Sequence, residues 1–239
     1  MLAACKTDKG LNCFQAAGDI VQEQMQVAPF TKIIVWERVQ LILVEGPIQK
    51  VVVETGSHLL NDVVLEVSEN TLNIYNYNGC NLFREYGITK VYVTQPNLTE
   101  LRNSSGLEIR SEGQLQYNAL TLLSEDADKP DGFHKSGDFY LSLDVNSLKI
   151  ISNGLSNFFL DGSAQEAQFL LQEGDSRIEA ANFMVDSLYI FHRSTNKMIV
   201  NPRQVIQGEI RSIGDVISKH RPPVVNVQQF FSGQLLFED

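Results

Sequence analysis

The sequence predicts an all-β chain whose second half winds as a single-stranded β-solenoid, a parallel β-helix reached through an N-terminal β-rich region. Three observations predict it. Short runs rich in Val, Ile, Tyr and Phe alternate in polarity; turn residues separate them almost everywhere after residue 28; and an apolar beat near 20 residues marks the second half.

Strand candidates come in order at Lys32–Trp36, Val39–Val44, Lys50–Glu54, Val63–Val67, Leu72–Tyr77 and Lys90–Thr94. Val39, Leu41 and Leu43 would share one face, and Leu72 and Ile74 would face opposite to Asn73 and Tyr75, the period of two of a half-buried strand. Glu45-Gly46-Pro47, Thr55-Gly56, Glu69-Asn70 and Tyr77-Asn78-Gly79 supply the turns. The one helical candidate, Asp19–Met25, spans only two turns, so it is read as an extended lead-in strand.

The repeat is carried by Leu148–Gly154, Phe169–Gly174, Leu188–Ser194 and Ile206–Gly214, with Asn97–Gly106 resembling an earlier copy. Gly154 and Gly174 are 20 residues apart and Gly174 and Gly214 are 40 apart. Inward residues of successive coils would stack, with Leu148, Phe169 and Leu188 in one column. The polar segment 124–137 breaks this rhythm and reads as a loop between coils. The expected organisation is a tether over 1–11, a head domain over 12–220 (a β region over 12–96 and repeat coils over 97–220), and a C-terminal cap over 221–239.

Composition narrows the function. The 43% hydrophobic and 20% charged content is that of a folded chain, and a net charge of −10 disfavours a nucleic-acid partner, whose phosphates need clustered Lys and Arg. No apolar run approaches the roughly 20 residues of a membrane-spanning helix. No nucleophile elbow, phosphate loop or dinucleotide fingerprint occurs, and His58, His134, His192 and His220 are scattered. Neither a cofactor nor a catalytic residue is assigned. Asp126, Asp128 and Asp131 before Gly132 loosely match a calcium loop, but Pro130 falls inside it and no distal Glu follows, so it reads as a solvated loop and no metal is expected. Asp161, Asp175, Glu179 and Asp186 are spread over several coils and read as solvated turns.

The aromatic residues Tyr75, Tyr77, Phe83, Tyr86 and Tyr92 cluster in sequence, and Tyr75, Tyr77 and Tyr92 are the candidate ligand contacts. The alternative is that they pack under a second buried face.

Leu2-Ala3-Ala4-Cys5 looks like a bacterial lipobox, with Cys5 as the residue lipidated in the native precursor and the polar stretch after it as tether; a chance match is the alternative. Only Met1 precedes the box, so its apolar h-region is expected upstream, lost to trimming or to a late gene start. If Cys5 carries lipid, Cys13 and Cys80 remain, and an oxidising envelope favours their pairing over two free thiols.

Several passages together resemble the head-GIN-domain family of autotransporter-adhesin-like lipoproteins of Gram-negative bacteria. They are Asn12–Val21, Phe30–Ile33, Val39–Gly46 and Val91–Leu101, within a match over roughly residues 12 to 215. The resemblance implies a right-handed parallel β-helix, periplasmic or outer-membrane placement through an N-terminal lipid, and no established catalysis. It departs from the family at its turns, where Asn153-Gly154-Leu155, Glu173-Gly174-Asp175 and Ser194-Thr195-Asn196 replace Gly-Ser-Gly. The function expected is non-enzymatic binding or adhesion to an extracellular or envelope ligand (glycan, protein or lipid), with the membrane reached only through the anchor. The alternatives are a degenerate polysaccharide-processing enzyme and a lipid-binding envelope protein.

Overall fold

In the computed structural model of the chain, the described residues are 17–78 and 87–238. Cys5, Cys13, Cys80, Phe83 and Tyr86 lie outside them.

Alternation sets the first strands. In β2 (Lys32–Val35), Ile33 and Val35 point inward, and in β3 (Gln40–Val44) Leu41 and Leu43 do so, all four without solvent exposure. Around them lie β1 (Ile20–Met25), β4 (Lys50–Gly56), β5 (Val63–Ser68), β6 (Thr71–Asn76) and β7 (Lys90–Thr94). Then follow β8 (Glu100–Asn103), β9 (Ile109–Glu112), β10 (Leu115–Ser124), β11 (Phe139–Ser152) and β12 (Asn157–Leu171). The chain continues through β13 (Arg177–His192), β14 (Met198–Ile210), β15 (Val216–Ser218), β16 (Val224–Gln229) and β17 (Leu235–Phe237). The helical content of the described residues is one 3-10 turn, Leu60–Asp62. The class is all-β, as expected, and Ile20–Met25 is indeed a strand.

The strands make one strongly curled sheet, and that sheet is mixed. Strand β4 runs antiparallel to both β1 and β7, and β5 runs antiparallel to β6, so a uniform parallel β-helix does not describe the whole sheet. The physical reason is connection length. Strands β5 and β6 are joined by Glu69-Asn70, both at positive φ, a two-residue turn that can only return the chain antiparallel.

Elsewhere the pairing is parallel and builds two ladders. In the first, Leu72, Ile33, Leu101, Leu122, Ile150, Phe169, Ile190, Gly208 and Val227 are successive register partners. In the second, the succession is Val91, Leu41, Ile109, Phe139, Phe158, Ile178, Met198, Val216 and Leu235. The long strands β11 to β14 contribute to both ladders, so each is one rung bent around a common core. That core holds fully buried Phe139, Phe158, Phe169 and Phe183.

Leu148, Phe169 and Leu188 are all buried, but they do not share one column. Leu148 pairs with Ala167 and then Leu188, while Phe169 stands two residues on, between Ile150 and Ile190. The rung from β11 to β12 advances 19 residues, so a column counted at about 20 slips to the wrong inward position. Strands β16 and β17, in the stretch expected to cap the chain, extend both ladders by one further rung.

Candidate functional site

Because Leu72, Ile74, Ile33 and Val35 fill the core, their neighbours Asn73, Tyr75, Ile34 and Trp36 are turned outward. The pairing of β2 with β6 continues one step past the strand, where the Trp36 amide donates to the Ile74 carbonyl at 2.9 Å. This sets Trp36 beside Tyr75, with ring centroids 5.5 Å apart and planes 10° from parallel. Tyr75 stacks in turn on Tyr77 at 5.8 Å and 10°, and Tyr77 is 61% exposed. The indole Nε1 donates to Asn73 Oδ1 at 3.1 Å and fixes the ring's orientation.

The row is completed from far along the chain. Phe133, in the segment between β10 and β11, stacks on Trp36 at 5.3 Å, and the Arg102 guanidinium lies 4.2 Å over the Phe133 ring. Arg102 Nη2 donates to Glu125 Oε1 at 2.6 Å, its Nη1 donates to the Glu125 carbonyl, and both residues are buried. Glu125 Oε2 accepts the Ala127 amide at 2.7 Å. A buried charge is tolerable only with its partners in place, so this pair ties the segment's start to β8.

Asp126 ties down its middle, accepting from Lys135 Nζ at 2.8 Å, Asn153 Nδ2 at 2.9 Å and the Asp131 amide at 3.0 Å. The Lys135 hydrogen bond first, then those of Asn153 and Asp131, hold its carboxyl down to about 2. The Asp126 carboxylate is thus committed to protein donors. His134 Nε2 meets Glu37 Oε1 at 2.7 Å, and this bond, with Arg38 beside it, lowers the Glu37 carboxyl. Far from being a passive loop, the segment is stapled over the aromatic row.

Tyr92 lies elsewhere. It belongs to the second ladder, opposite Ile42 and Val52, where its hydroxyl donates to Glu54 Oε2 at 3.5 Å and burial raises its phenol. The structure therefore brings Tyr75 and Tyr77 together and separates Tyr92 from them. A second aromatic pair, Tyr140 on Phe159, stacks at 4.5 Å with Arg110 4.2 Å over Tyr140. It borders a groove of about 420 Å³ that Ser142, Asp161, Glu179 and Asn182 also line.

Sequence reasoning missed Trp36, Phe133, Tyr140 and Phe159. Tyr140 and Phe159 carried a usable signal, an aromatic residue at the same position of rungs 19 residues apart. Trp36 and Phe133, 97 residues apart, carried none. Among the described residues, no group of three or more His, Cys, Asp or Glu is placed to hold a metal ion, and no helix is long and apolar enough to cross a membrane.

Four aromatic side chains thus form one stacked row on an all-β scaffold, and comparison with known proteins gives the family. The chain belongs to the family described as "putative auto-transporter adhesin, head GIN domain", whose model matches residues 29–222. Among solved structures, a "putative adhesin" from Bacteroides fragilis NCTC 9343 is similar, with TM-score 0.80 and 18% identity over 92% of this chain and 97% of that one. A "putative lipid binding protein" from Parabacteroides distasonis ATCC 8503 has TM-score 0.66 at 15% identity, covering 93% and 98%. A "putative adhesin" from Parabacteroides merdae ATCC 43184 has TM-score 0.56 at 15% identity, covering 93% and 97%. At these identities the likeness is one of fold. A comparison with curated proteins gives no match.

Proposed function

We propose that this chain is a non-enzymatic envelope protein that binds or adheres through its outer face, with the Tyr77–Tyr75–Trp36–Phe133 row as the contact surface. One observation carries the reading: four aromatic rings form a continuous stack rather than sinking into the core, with Phe133 held over Trp36 through the buried Arg102–Glu125 pair. Rings held rigid before contact lose little entropy on binding, which is why Tyr and Trp dominate protein binding surfaces. Family membership supports the adhesive direction.

The finer expectations join the same reading. The parallel part from β8 to β17 winds as a right-handed β-helix, because parallel crossovers are right-handed in nearly all known cases. Cys5 takes the lipid in the native precursor, placing the head in the periplasm or on the outer-membrane surface, and Cys13 pairs with Cys80. Thiol titration of non-reduced, periplasmically expressed protein tests the pairing; two free thiols there would end it.

The binding experiment is a glycan array run alongside arrays of envelope proteins and lipid vesicles, comparing the native chain with Tyr77→Ala and Trp36→Ala. Binding in one array that both substitutions weaken at least tenfold is the expected result. Binding they leave untouched removes the aromatic row from the function. The vesicle arm addresses a lipid ligand, a reading that one relative's description favours. With Phe139, Phe158, Phe169 and Phe183 filling the core, a lipid would have to meet the outer surface.

A further inference from the structure

Between the two ladders, where β11, β12 and β13 bend from one to the other, lies a further outward face. Inward Leu143, Val145, Ala164 and Val185 hold it on the core. Register sets its outward side chains in columns, with Ser142, Asp161 and Asn182 in one and Asp144, Ser163 and Met184 in the next. The face is concave because β13 carries more chain here than its neighbours. From the Phe159–Glu179 pair to the Asp161–Asn182 pair, β12 advances two residues and β13 three. Against β14, β13 advances from Glu179 to Met184 while β14 moves only from Ile199 to Asn201. Such bulges bend a strand, re-aim its side chains and recur beside functional sites.

Two adjoining grooves result. The first, of about 420 Å³, runs between Phe159, Asp161, Glu179 and Asn182. The second, of about 410 Å³, continues along the same strands past Asp144, Ser163, Met184 and Asp186. From Tyr140 to Asn146 the face extends roughly 20 Å along β11. Its first end is aromatic. Arg110 covers one face of Tyr140, Tyr140 covers one face of Phe159, and the other Phe159 face looks toward β13 across the first groove. The rest is polar. Asp161 and Asp186, expected in turns, stand exposed on strands β12 and β13. Among the described residues, the side chains of Asp161, Asn182, Gln165 and Asp186 have no hydrogen-bond partner. Glu54, Glu108 and Asp126, by contrast, are committed to donors of this chain.

We propose that this face is a binding site separate from the aromatic row, and that its ligand is a neutral oligosaccharide. The lining selects that chemistry. Asp144, Asp161 and Asp186 face Arg203 alone, while Glu179 is neutralised by Arg177, so phosphate, nucleic acid and uronate chains are repelled. A peptide adding as a strand needs open backbone groups, and β11, β12 and β13 are each paired on both sides. A lipid chain would meet a floor of Ser, Asp, Asn and Gln and strip it of water. Sugar hydroxyls both donate and accept, which suits unpartnered carboxylates and carboxamides together. The apolar C–H face of a sugar ring packs on an aromatic ring, here Phe159. One apolar platform with a few placed polar groups is the composition of a small-ligand groove. The site shares no residue with the Tyr77–Phe133 row, so either can fail alone.

NMR titration of the isotope-labelled full chain with tetrasaccharides of glucose, mannose, galactose and N-acetylglucosamine, each taken to about 10 mM, tests the inference. At least one is expected to shift the amides of 159–165 and 181–186 saturably. Phe159→Ala and Asp161→Ala each raise its Kd at least tenfold while circular dichroism and melting temperature hold, and Phe159→Trp keeps the affinity. Asn182→Ala, an exposed truncation, gives the same loss and serves if Phe159→Ala does not fold. Gln168→Ala, exposed on the first-ladder part of β12, leaves Kd unchanged. A galacturonate tetrasaccharide binds at least tenfold more weakly than the best neutral one. The inference is overturned if no neutral tetrasaccharide shifts these amides, or if the shifts gather around Trp36 and Tyr75 instead. Equal binding of the galacturonate, or a Kd indifferent to the Phe159, Asp161 and Asn182 substitutions, overturns it as well.

Discussion

Phe158 lies directly on Phe139 of the preceding rung, with ring centroids 4.7 Å apart and planes 11° from parallel, and neither ring reaches solvent. The contact joins residues 19 apart in the chain through one register step of the second ladder. Phe158→Ala removes a ring from a packed stack and leaves a cavity that the backbone rungs on either side prevent from collapsing. The expected cost is roughly 3–5 kcal/mol, read as a lower urea midpoint with unchanged slope.

The buried Arg102–Glu125 pair supports the aromatic row through Phe133. Glu125→Ala strands the guanidinium in a covered site, at a cost of about 3–5 kcal/mol. Phe133 should then lift from Trp36, the chain's single tryptophan, whose emission shifts to the red. The pair Arg102→Met/Glu125→Leu should recover much of the stability, because it removes both charges together. A double variant as unstable as the single one would show that packing, not charge, is at stake.

His192 sits between Leu171 and Ile210 in the register, fully enclosed, with the backbone of Asn196 and Gly214 against its ring. Burial pushes its imidazole down to about 4. In the unfolded chain it protonates near its ordinary value of 6.5. Between those values the unfolded state binds the extra proton, so the stabilisation is complete above pH 6.5 and is lost as pH falls toward 4. The difference amounts to about 3 kcal/mol. His192→Leu should flatten this part of the pH–stability curve, and melting curves at pH 7.5 and 4.5 measure it.

Gly208 holds φ at 129°, and a Cβ there would come within 1.9 Å of the Ile190 carbonyl oxygen on the adjacent strand. Gly208→Ala combines a forbidden backbone conformation with a clash against a strand that cannot move aside. The expected loss is roughly 2–4 kcal/mol, by thermal unfolding. A neutral result would mean that β14 repacks locally.

Local chemistry made the N-terminal strands legible. Alternation placed Leu72 and Ile74 inward and Tyr75 outward, and the structure keeps that assignment. Charge pattern likewise marked 124–137 as lying outside the rungs. What alternation cannot give is register between strands far apart in sequence, which is why Phe169 is two positions from its expected column. The same gap hid the site. Trp36 meets Phe133 only because an ion pair 23 residues long in sequence, Arg102 to Glu125, folds that segment back over β2. The antiparallel β4 was equally unreadable, since Lys50–Gly56 alternates identically whichever way its neighbours run.

The even advance of the second ladder also makes the molecule a spacer of adjustable length. From Phe139 through Phe158, Ile178, Met198 and Val216 to Leu235, each step spans 18 to 20 residues and every rung rests only on its neighbours. Gain or loss of one whole repeat would move the terminal rung relative to the tryptophan face by a single strand spacing, about 4.8 Å, and leave both ends chemically unchanged. Genetic duplication can therefore tune the reach of such a head in fixed increments without redesigning either surface.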